Sequence, residues 1–129
     1  MKLYLSAEAK VKEIKSEFEE RFPYLKLEFF KKKHGLLESS PRKDMVPSNL
    51  TLIEAADAMK EGEIEITRKQ TVAEVEQLFQ NKFNLPVQIF RKARFSWIET
   101  TRTDELTLAK QNSMGRAACG AIYDNEILL

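Results

Sequence analysis

Apolar and polar positions follow the same pattern twice along this chain. Each copy contains a segment in which four apolar residues are separated by three, four and four positions, among charged neighbours. This spacing predicts an amphipathic helix with one buried stripe. The stripe residues are Val11, Ile14, Phe18 and Phe22 in residues 10–22, and Val72, Val75, Phe79 and Phe83 in residues 71–83.

Short segments of alternating apolar and polar residues lie on both sides of each predicted helix. Alternation with a period of two is typical of strands that bury one face. Three strands per copy are therefore predicted. They are 3–5, 25–30 and 36–39 in the first copy, and 64–66, 85–90 and 97–100 in the second.

Capping residues indicate where the helices begin. Thr71 with Glu74 and Thr51 with Glu54 have the spacing of capping boxes, and Ser6 is a candidate cap for the first helix. The matching triplets 50–52 and 106–108, both Leu-Thr-Leu, each predict the start of a second, shorter helix.

The repeated unit is therefore strand–helix–strand–strand–helix. We expect an α+β fold, with a mixed or antiparallel sheet and helices on one face. The halves would be ferredoxin-like or β-grasp-like. The predicted units are 1–62 and 63–112, both within one compact domain, followed by a C-terminal tail at 113–129.

Residues 64–112 resemble a ubiquitin-like domain in the order of their features. These are a strand, a helix that opens with Thr-Val, an Ile-Phe strand and a Leu-Thr-Leu turn. The resemblance implies a β-grasp arrangement for less than half of the chain. The leading hairpin strand and the Gly-Gly tail of that family are absent, so the function of the family is not carried over.

The tail at 113–129 has no counterpart in the first copy. Its glycines and alanines predict a flexible segment, and the chain ends in the apolar sequence Ile-Leu-Leu. Three states are open for it: disorder, docking on its own sheet as a last strand, or pairing with another subunit. An uncovered apolar terminus favours aggregation, so some docking is expected.

Composition excludes several classes of function. The 129 residues include 21 basic and 20 acidic side chains, so the net charge of +1 gives no global attraction to nucleic acid or to an anionic membrane. The single cysteine, Cys119, and the single histidine, His34, exclude an intrachain disulfide and argue against a metal site. No cofactor is expected. With no signal-like or membrane-spanning run, the expected location is cytoplasmic.

Two segments, 29–34 and 90–97, interleave aromatic and basic residues. Such interleaving is typical of surfaces that bind single-stranded nucleic acid, where bases stack on rings and phosphates bind cations. It also arises where basic residues at hairpin tips only protect sheet edges. The candidate binding surface comprises Phe30, Lys31, Lys32, Lys33, Phe90, Arg91, Lys92, Arg94 and Trp97.

An enzymatic site is the weakest of three hypotheses. Glu38 and Glu99 occupy equivalent positions, and Thr101 and Asp104 lie near Glu99 in sequence. No phosphate loop, nucleophile motif or paired metal motif accompanies them. No enzymatic activity and no catalytic residue are therefore predicted.

The sequence thus favours a small, non-enzymatic cytoplasmic interaction module that self-associates, with a protein partner or a second copy as its ligand. Single-stranded RNA binding through 29–34 and 90–97 is the alternative. No membrane association is expected.

Overall fold

The computed structural model describes residues 1–31 and 42–128, with side chains as far as Gly120. Over these ranges the chain has an α+β fold. Its elements are β1 (Lys2–Leu5), α1 (Val11–Arg21), β2 (Leu25–Phe29), α2 (Leu52–Ala55), β3 (Gly62–Glu65), α3 (Val72–Phe83), β4 (Val87–Lys92), β5 (Trp97–Glu99) and α4 (Leu108–Leu128). Short 3-10 helices occupy Arg42–Asp44 and Thr101–Thr103. The predicted third strand of the first copy, 36–39, lies outside the described residues.

The two amphipathic helices α1 and α3 form where the apolar spacing predicts them, and all eight stripe residues are buried. Thr71 caps α3, because its hydroxyl accepts a hydrogen bond from the Glu74 amide at 3.1 Å. The helix ends at Asn84, whose φ of 55° is left-handed. Asparagine tolerates this conformation better than most residues, which suits it to a helix C-terminus.

Ser6 does not cap α1, contrary to the prediction. The N-cap residue is Lys10, and no side chain caps it. Instead, the Val11 and Lys12 amides at the start of the helix donate to the carbonyls of Leu50 and Ser48, at 2.8 and 2.9 Å. Backbone from a distant segment therefore satisfies donors that a capping side chain would otherwise satisfy.

The strands form two small antiparallel sheets, so the pairing is antiparallel throughout the described strands. In the first sheet β1 pairs with β3, and Leu3 lies opposite Ile64. In the second sheet the order is β2-β4-β5, with Leu27 opposite Ile89. Strands from the two halves of the chain are therefore hydrogen-bonded to each other in both sheets.

A single cluster of buried side chains joins both sheets to α1 and α3. Within it, the rings of Phe29 and Phe79 meet edge to face, with centroids 6.1 Å apart. Burial of such side chains is the main stabilising contribution, at roughly 1.5–3 kcal/mol for each fully buried large apolar residue.

The start of each amphipathic helix is crossed by the segment that leads into the next helix. Four backbone hydrogen bonds fix each crossing, with donor–acceptor distances of 2.8–3.1 Å. At α1 they run from Val11 to Leu50, Lys12 to Ser48, Leu52 to Ala9 and Ile53 to Ala7. At α3 they run from Val72 to Leu106, Ala73 to Asp104, Leu108 to Gln70 and Ala109 to Arg68.

The C-terminal segment is helical, so it does not dock on its own sheet as a last strand, which was one of the three expected states. The helix α4 begins at Leu108, where a helix was predicted, and continues through residue 112 to Leu128. Gly115 is buried against Tyr24, the residue before β2, whose Cβ atom would lie 2.8 Å from a Cβ atom at position 115. The glycine therefore permits close packing of a continuous helix. The apolar side chains beyond Gly120 lie outside the described side chains.

Candidate binding surface on the β4–β5 hairpin

The hairpin of β4 and β5 holds the basic and aromatic residues of the second predicted segment. Lys92 pairs with Trp97, and the turn closes with a 2.7 Å hydrogen bond from the Ala93 amide to the Ser96 carbonyl. No residue of this turn has a positive φ. The four-residue turn, 93–96, therefore requires neither glycine nor asparagine, which explains why the sequence shows no turn signal there.

One face of this sheet carries an aromatic and basic cluster. Directly paired residues lie on the same face of a sheet, so the pairs Lys26–Phe90 and Lys92–Trp97 share one face. The Lys26 ammonium lies 5.3 Å from the centre of the Phe90 ring and 5.2 Å from that of Trp97. The Lys92 ammonium lies 5.4 Å from the centre of the Trp97 ring. These cation–π contacts hold Trp97 half-buried.

The tip of the hairpin carries the most exposed large apolar side chain of the described residues. Phe95 is 87% exposed, and the Arg94 guanidinium carbon lies 5.1 Å from the centre of its ring. Arg94 is also exposed. We refer to Lys26, Lys92, Arg94, Phe95 and Trp97 together as the hairpin surface.

The first predicted segment lies at the other end of the sheet. Since β2 and β4 are antiparallel, Leu25 lies opposite Arg91 near the hairpin turn, whereas Phe29 lies opposite Val87. Four residues of strand separate these ends, or about 13 Å. Lys31 follows β2 and lines a separate cleft with Asn84. Lys32 and Lys33 lie outside the described residues. In the described part of the chain, the two basic segments are therefore not one surface.

Three predicted site residues do not form part of an exposed binding surface. Phe30 is 1% exposed and Phe90 9% exposed, so neither ring face is open to a ligand. Arg91 points to the opposite side from Lys92, and its Nη1 atom donates to Gln111 Oε1 of α4 at 2.9 Å. The members of the predicted set that the structure brings together at the hairpin are Lys92, Arg94 and Trp97.

Sequence reasoning missed a buried carboxylate beside this surface. Glu28 is 5% exposed and forms an ion pair with Lys15. Its Oε1 atom, which faces the Lys15 ammonium, accepts no hydrogen bond among the described residues. The Lys15 ammonium also donates to Ser48 Oγ at 3.1 Å. Lys26 lies 3.6 Å from Glu28 Oε2, so the carboxylate positions the lysine that contacts both rings. The signal was available, because alternation places Lys26 and Glu28 on the same side of their strand.

The residues of the enzymatic hypothesis have structural roles or lie apart. Thr101 Oγ1 accepts a 2.7 Å hydrogen bond from buried Gln88, Asp104 is buried, and Glu99 is exposed. Glu38 lies outside the described residues. Over the described ranges, no group of three His, Cys, Asp or Glu side chains is arranged to hold a metal ion. Nor does any described helix combine the length and the apolar character needed to cross a membrane.

His34 lies outside the described residues. Cys119 is half-buried on α4, with its sulfur 3.9 Å from the Ala93 carbonyl oxygen.

No protein-family model, curated protein or solved structure matches this chain.

Proposed function

We propose that this protein is a non-enzymatic interaction module that self-associates through the hairpin surface. The observation that carries the proposal is the exposed Phe95 at the tip of a hairpin flanked by Lys92 and Arg94. Exposed aromatic residues next to arginine are typical anchors of protein interfaces. Their position on a short hairpin, held by Lys26 and Trp97, reduces the entropy lost on binding.

The proposed partner is a second copy of the chain, on grounds of charge complementarity. Glu13, Glu17 and Glu20 follow one another at helical spacing on α1, and all three are exposed. No ion pair among the described residues includes them. The hairpin surface is positive and this stripe is negative. A twofold dimer can therefore satisfy both twice, with each hairpin on the α1 helix of the other copy.

Sedimentation velocity over a concentration series tests this proposal. Phe95→Ala removes the anchor and is expected to weaken the dimer by about 2 kcal/mol. Arg94→Glu is expected to weaken it further, and Glu17→Arg in the same chain should restore part of the loss. The matched controls are Tyr4→Ala, an aromatic residue on β1 that is 62% exposed, and Arg102→Glu, an exposed arginine in the 3-10 helix after β5 that is not part of the hairpin surface. A monomeric protein at every concentration would sink the proposal.

Binding of single-stranded RNA is the second candidate function. It is supported by the Arg94–Phe95 pair, since an exposed ring beside a cation offers a base both stacking and charge neutralisation. The proposal is restricted to the hairpin, because Phe30 and Phe90 are buried. Filter binding of an oligouridylate should weaken steeply with salt and be lost in Lys92→Ala/Arg94→Ala. Lack of binding at low salt excludes this function.

We also propose that residues 1–62 and 63–112 arose by duplication of a βαββα unit, with ferredoxin-like or β-grasp-like halves. The support is the pairing of matched positions. Leu3 lies opposite Ile64, its equivalent at an offset of 61, and Glu28 lies opposite Gln88, its equivalent at an offset of 60. Antiparallel pairing of equivalent strands about equivalent residues is what a twofold axis between the halves produces.

The four hydrogen bonds that cross the start of α1 have counterparts at α3, which supports the same duplication. An experimental structure tests it by superposition of residues 2–29 on 63–89. Halves that fail to superpose, or a crossing that lacks the counterpart hydrogen bonds, would contradict the duplication.

A cytoplasmic location also stays a prediction.

A further inference from the structure

A cleft of about 260 Å³ lies where the end of α1, the turn after β3 and the first half of α4 meet. Each of these three segments contributes one arginine to the cleft, in order Arg21, Arg68 and Arg116. The remaining lining residues are Phe22, Ala109, Asn112 and Ser113. The lining therefore carries three positive charges and no carboxylate.

Hydrogen bonds from backbone amides hold the walls of the cleft in place. The Ala109 amide donates to the Arg68 carbonyl at 3.0 Å, which ties the turn after β3 to the first turn of α4. Asn112 Oδ1 accepts a 2.9 Å hydrogen bond from the Tyr24 amide. Because Asn112 Oδ1 accepts this hydrogen bond, the Nδ2 group is the part of the side chain that can donate to a ligand. Asn112 and Arg116 are four residues apart and thus lie on one side of α4.

Among the described side chains, no carboxylate forms an ion pair with Arg21, Arg68 or Arg116. The chain has 20 acidic residues for 21 basic ones, so it contains enough carboxylates to pair with these arginines. Three like charges around one cleft repel one another, and an anion bound between them relieves that repulsion.

The chemistry of the lining selects the kind of anion. Guanidinium groups bind phosphate oxygens through paired, charge-assisted hydrogen bonds, and Asn and Ser side chains add neutral donors. The cleft volume is below the roughly 300–1,000 Å³ of sites that enclose drug-sized ligands. We propose that this cleft binds the dianionic phosphate group of a small phosphorylated ligand, whose remainder extends into solvent. No residue of the hairpin surface or of the acidic stripe on α1 lines the cleft, although Glu17 and Glu20 lie beside Arg21 at the end of α1.

Isothermal titration calorimetry with inorganic phosphate and with phosphoserine, a small phosphate monoester, tests this site. Both are expected to bind the wild-type chain. Arg21→Gln, Arg68→Gln and Arg116→Gln should each weaken binding by about tenfold. Arg102→Gln, which removes an exposed arginine outside the cleft, should leave the affinity unchanged. Because the cleft arginines are exposed, circular dichroism should report the same fold for all four variants.

Three results would overturn the assignment. The first is no binding of either probe to the wild-type chain at concentrations up to about 10 mM, where even a weak site is detected. The second is equal affinity in the wild type and the three cleft variants. The third is binding of dimethyl phosphate as tightly as phosphoserine, because dimethyl phosphate carries only a singly charged phosphodiester group and its binding would indicate a site for a nucleic-acid backbone.

Discussion

Thr51 and Glu54 close the start of α2 through reciprocal hydrogen bonds. The Thr51 amide donates to Glu54 Oε1 at 3.0 Å, and the Glu54 amide donates to Thr51 Oγ1 at 3.3 Å. The hydrogen bond from the Thr51 backbone, and then that from its hydroxyl, lower the pKa of Glu54 below its ordinary value of 4.5. The ionised carboxylate thus has better partners in the folded chain than in the unfolded chain.

The consequence is a pH dependence of stability with a definite sign. A lowered pKa in the folded state means that Glu54 stabilises the fold above its unfolded pKa, and that this contribution disappears as the pH falls through the folded value. Glu54→Gln keeps a capping box but cannot titrate. Its deficit in unfolding free energy relative to the wild type should therefore shrink between pH 7 and pH 3.

Urea unfolding at the two pH values measures that difference. Glu8→Gln, an exposed glutamate in the turn before α1, is the matched control and should show less change with pH. In a separate check, Thr51→Ala should raise the pKa of Glu54, measured by NMR titration, because one of the two hydrogen bonds to the carboxylate is lost. An unchanged pKa in Thr51→Ala contradicts this account of the box.

At the scale of elements, α4 contains a matched pair of glycines. At Gly115 a Cβ atom would lie 2.8 Å from Tyr24 Cβ and 3.1 Å from the Tyr24 carbonyl oxygen. At Gly120 it would meet no described atom within 4 Å. Alanine in a helix interior is favoured over glycine by up to about 1 kcal/mol, whereas overpacking costs about 1–3 kcal/mol.

The same substitution is therefore expected to have opposite effects at the two positions. Gly115→Ala should lower the free energy of unfolding by about 1 kcal/mol, because α4 has to move away from Tyr24. Gly120→Ala should raise it by up to about 1 kcal/mol. Urea unfolding of both variants measures the difference. A gain in stability from Gly115→Ala would mean that α4 does not pack closely on the sheet.

The same glycines explain why the continuation of α4 beyond residue 112 was not predicted. From sequence, Gly115 and Gly120 indicate flexibility, because a glycine weakens an isolated helix. The close approach of Gly115 to Tyr24 depends on a contact between residues 91 positions apart, which no local pattern contains. The helices α1 and α3 were predictable for the opposite reason: their apolar spacing is itself the local pattern that packing requires.

The binding surface was predictable in part for a related reason. Alternation along one strand places Lys92 and Arg91 on opposite faces of the sheet. The burial of Phe30 and Phe90, in contrast, depends on which strands pair. The antiparallel pairing of β2 with β4 places Phe29 and Arg91 at opposite ends of the sheet. That pairing joins the two halves of the chain, so the sequence of neither half determines it.

At the scale of the whole molecule, this pairing across the halves governs folding. Each described strand of the first half, β1 or β2, has its ladder partner, β3 or β4, in the second half. The buried cluster likewise takes residues from both halves. Neither half can complete a sheet or a core alone, so the halves are expected to fold together in one cooperative transition.

Urea unfolding of the full chain, followed with two probes, tests this cooperativity. Trp97, the only tryptophan, reports on the second half, and far-ultraviolet circular dichroism reports on the helices of both halves. The two curves should coincide, and a fragment of residues 1–62 should show no cooperative unfolding because β1 and β2 lack their partners. Separate transitions, or a folded fragment, contradict the shared core. Coincident curves mean that the hairpin surface and the arginine cleft, both of which include residues from the two halves, form only when the whole chain folds.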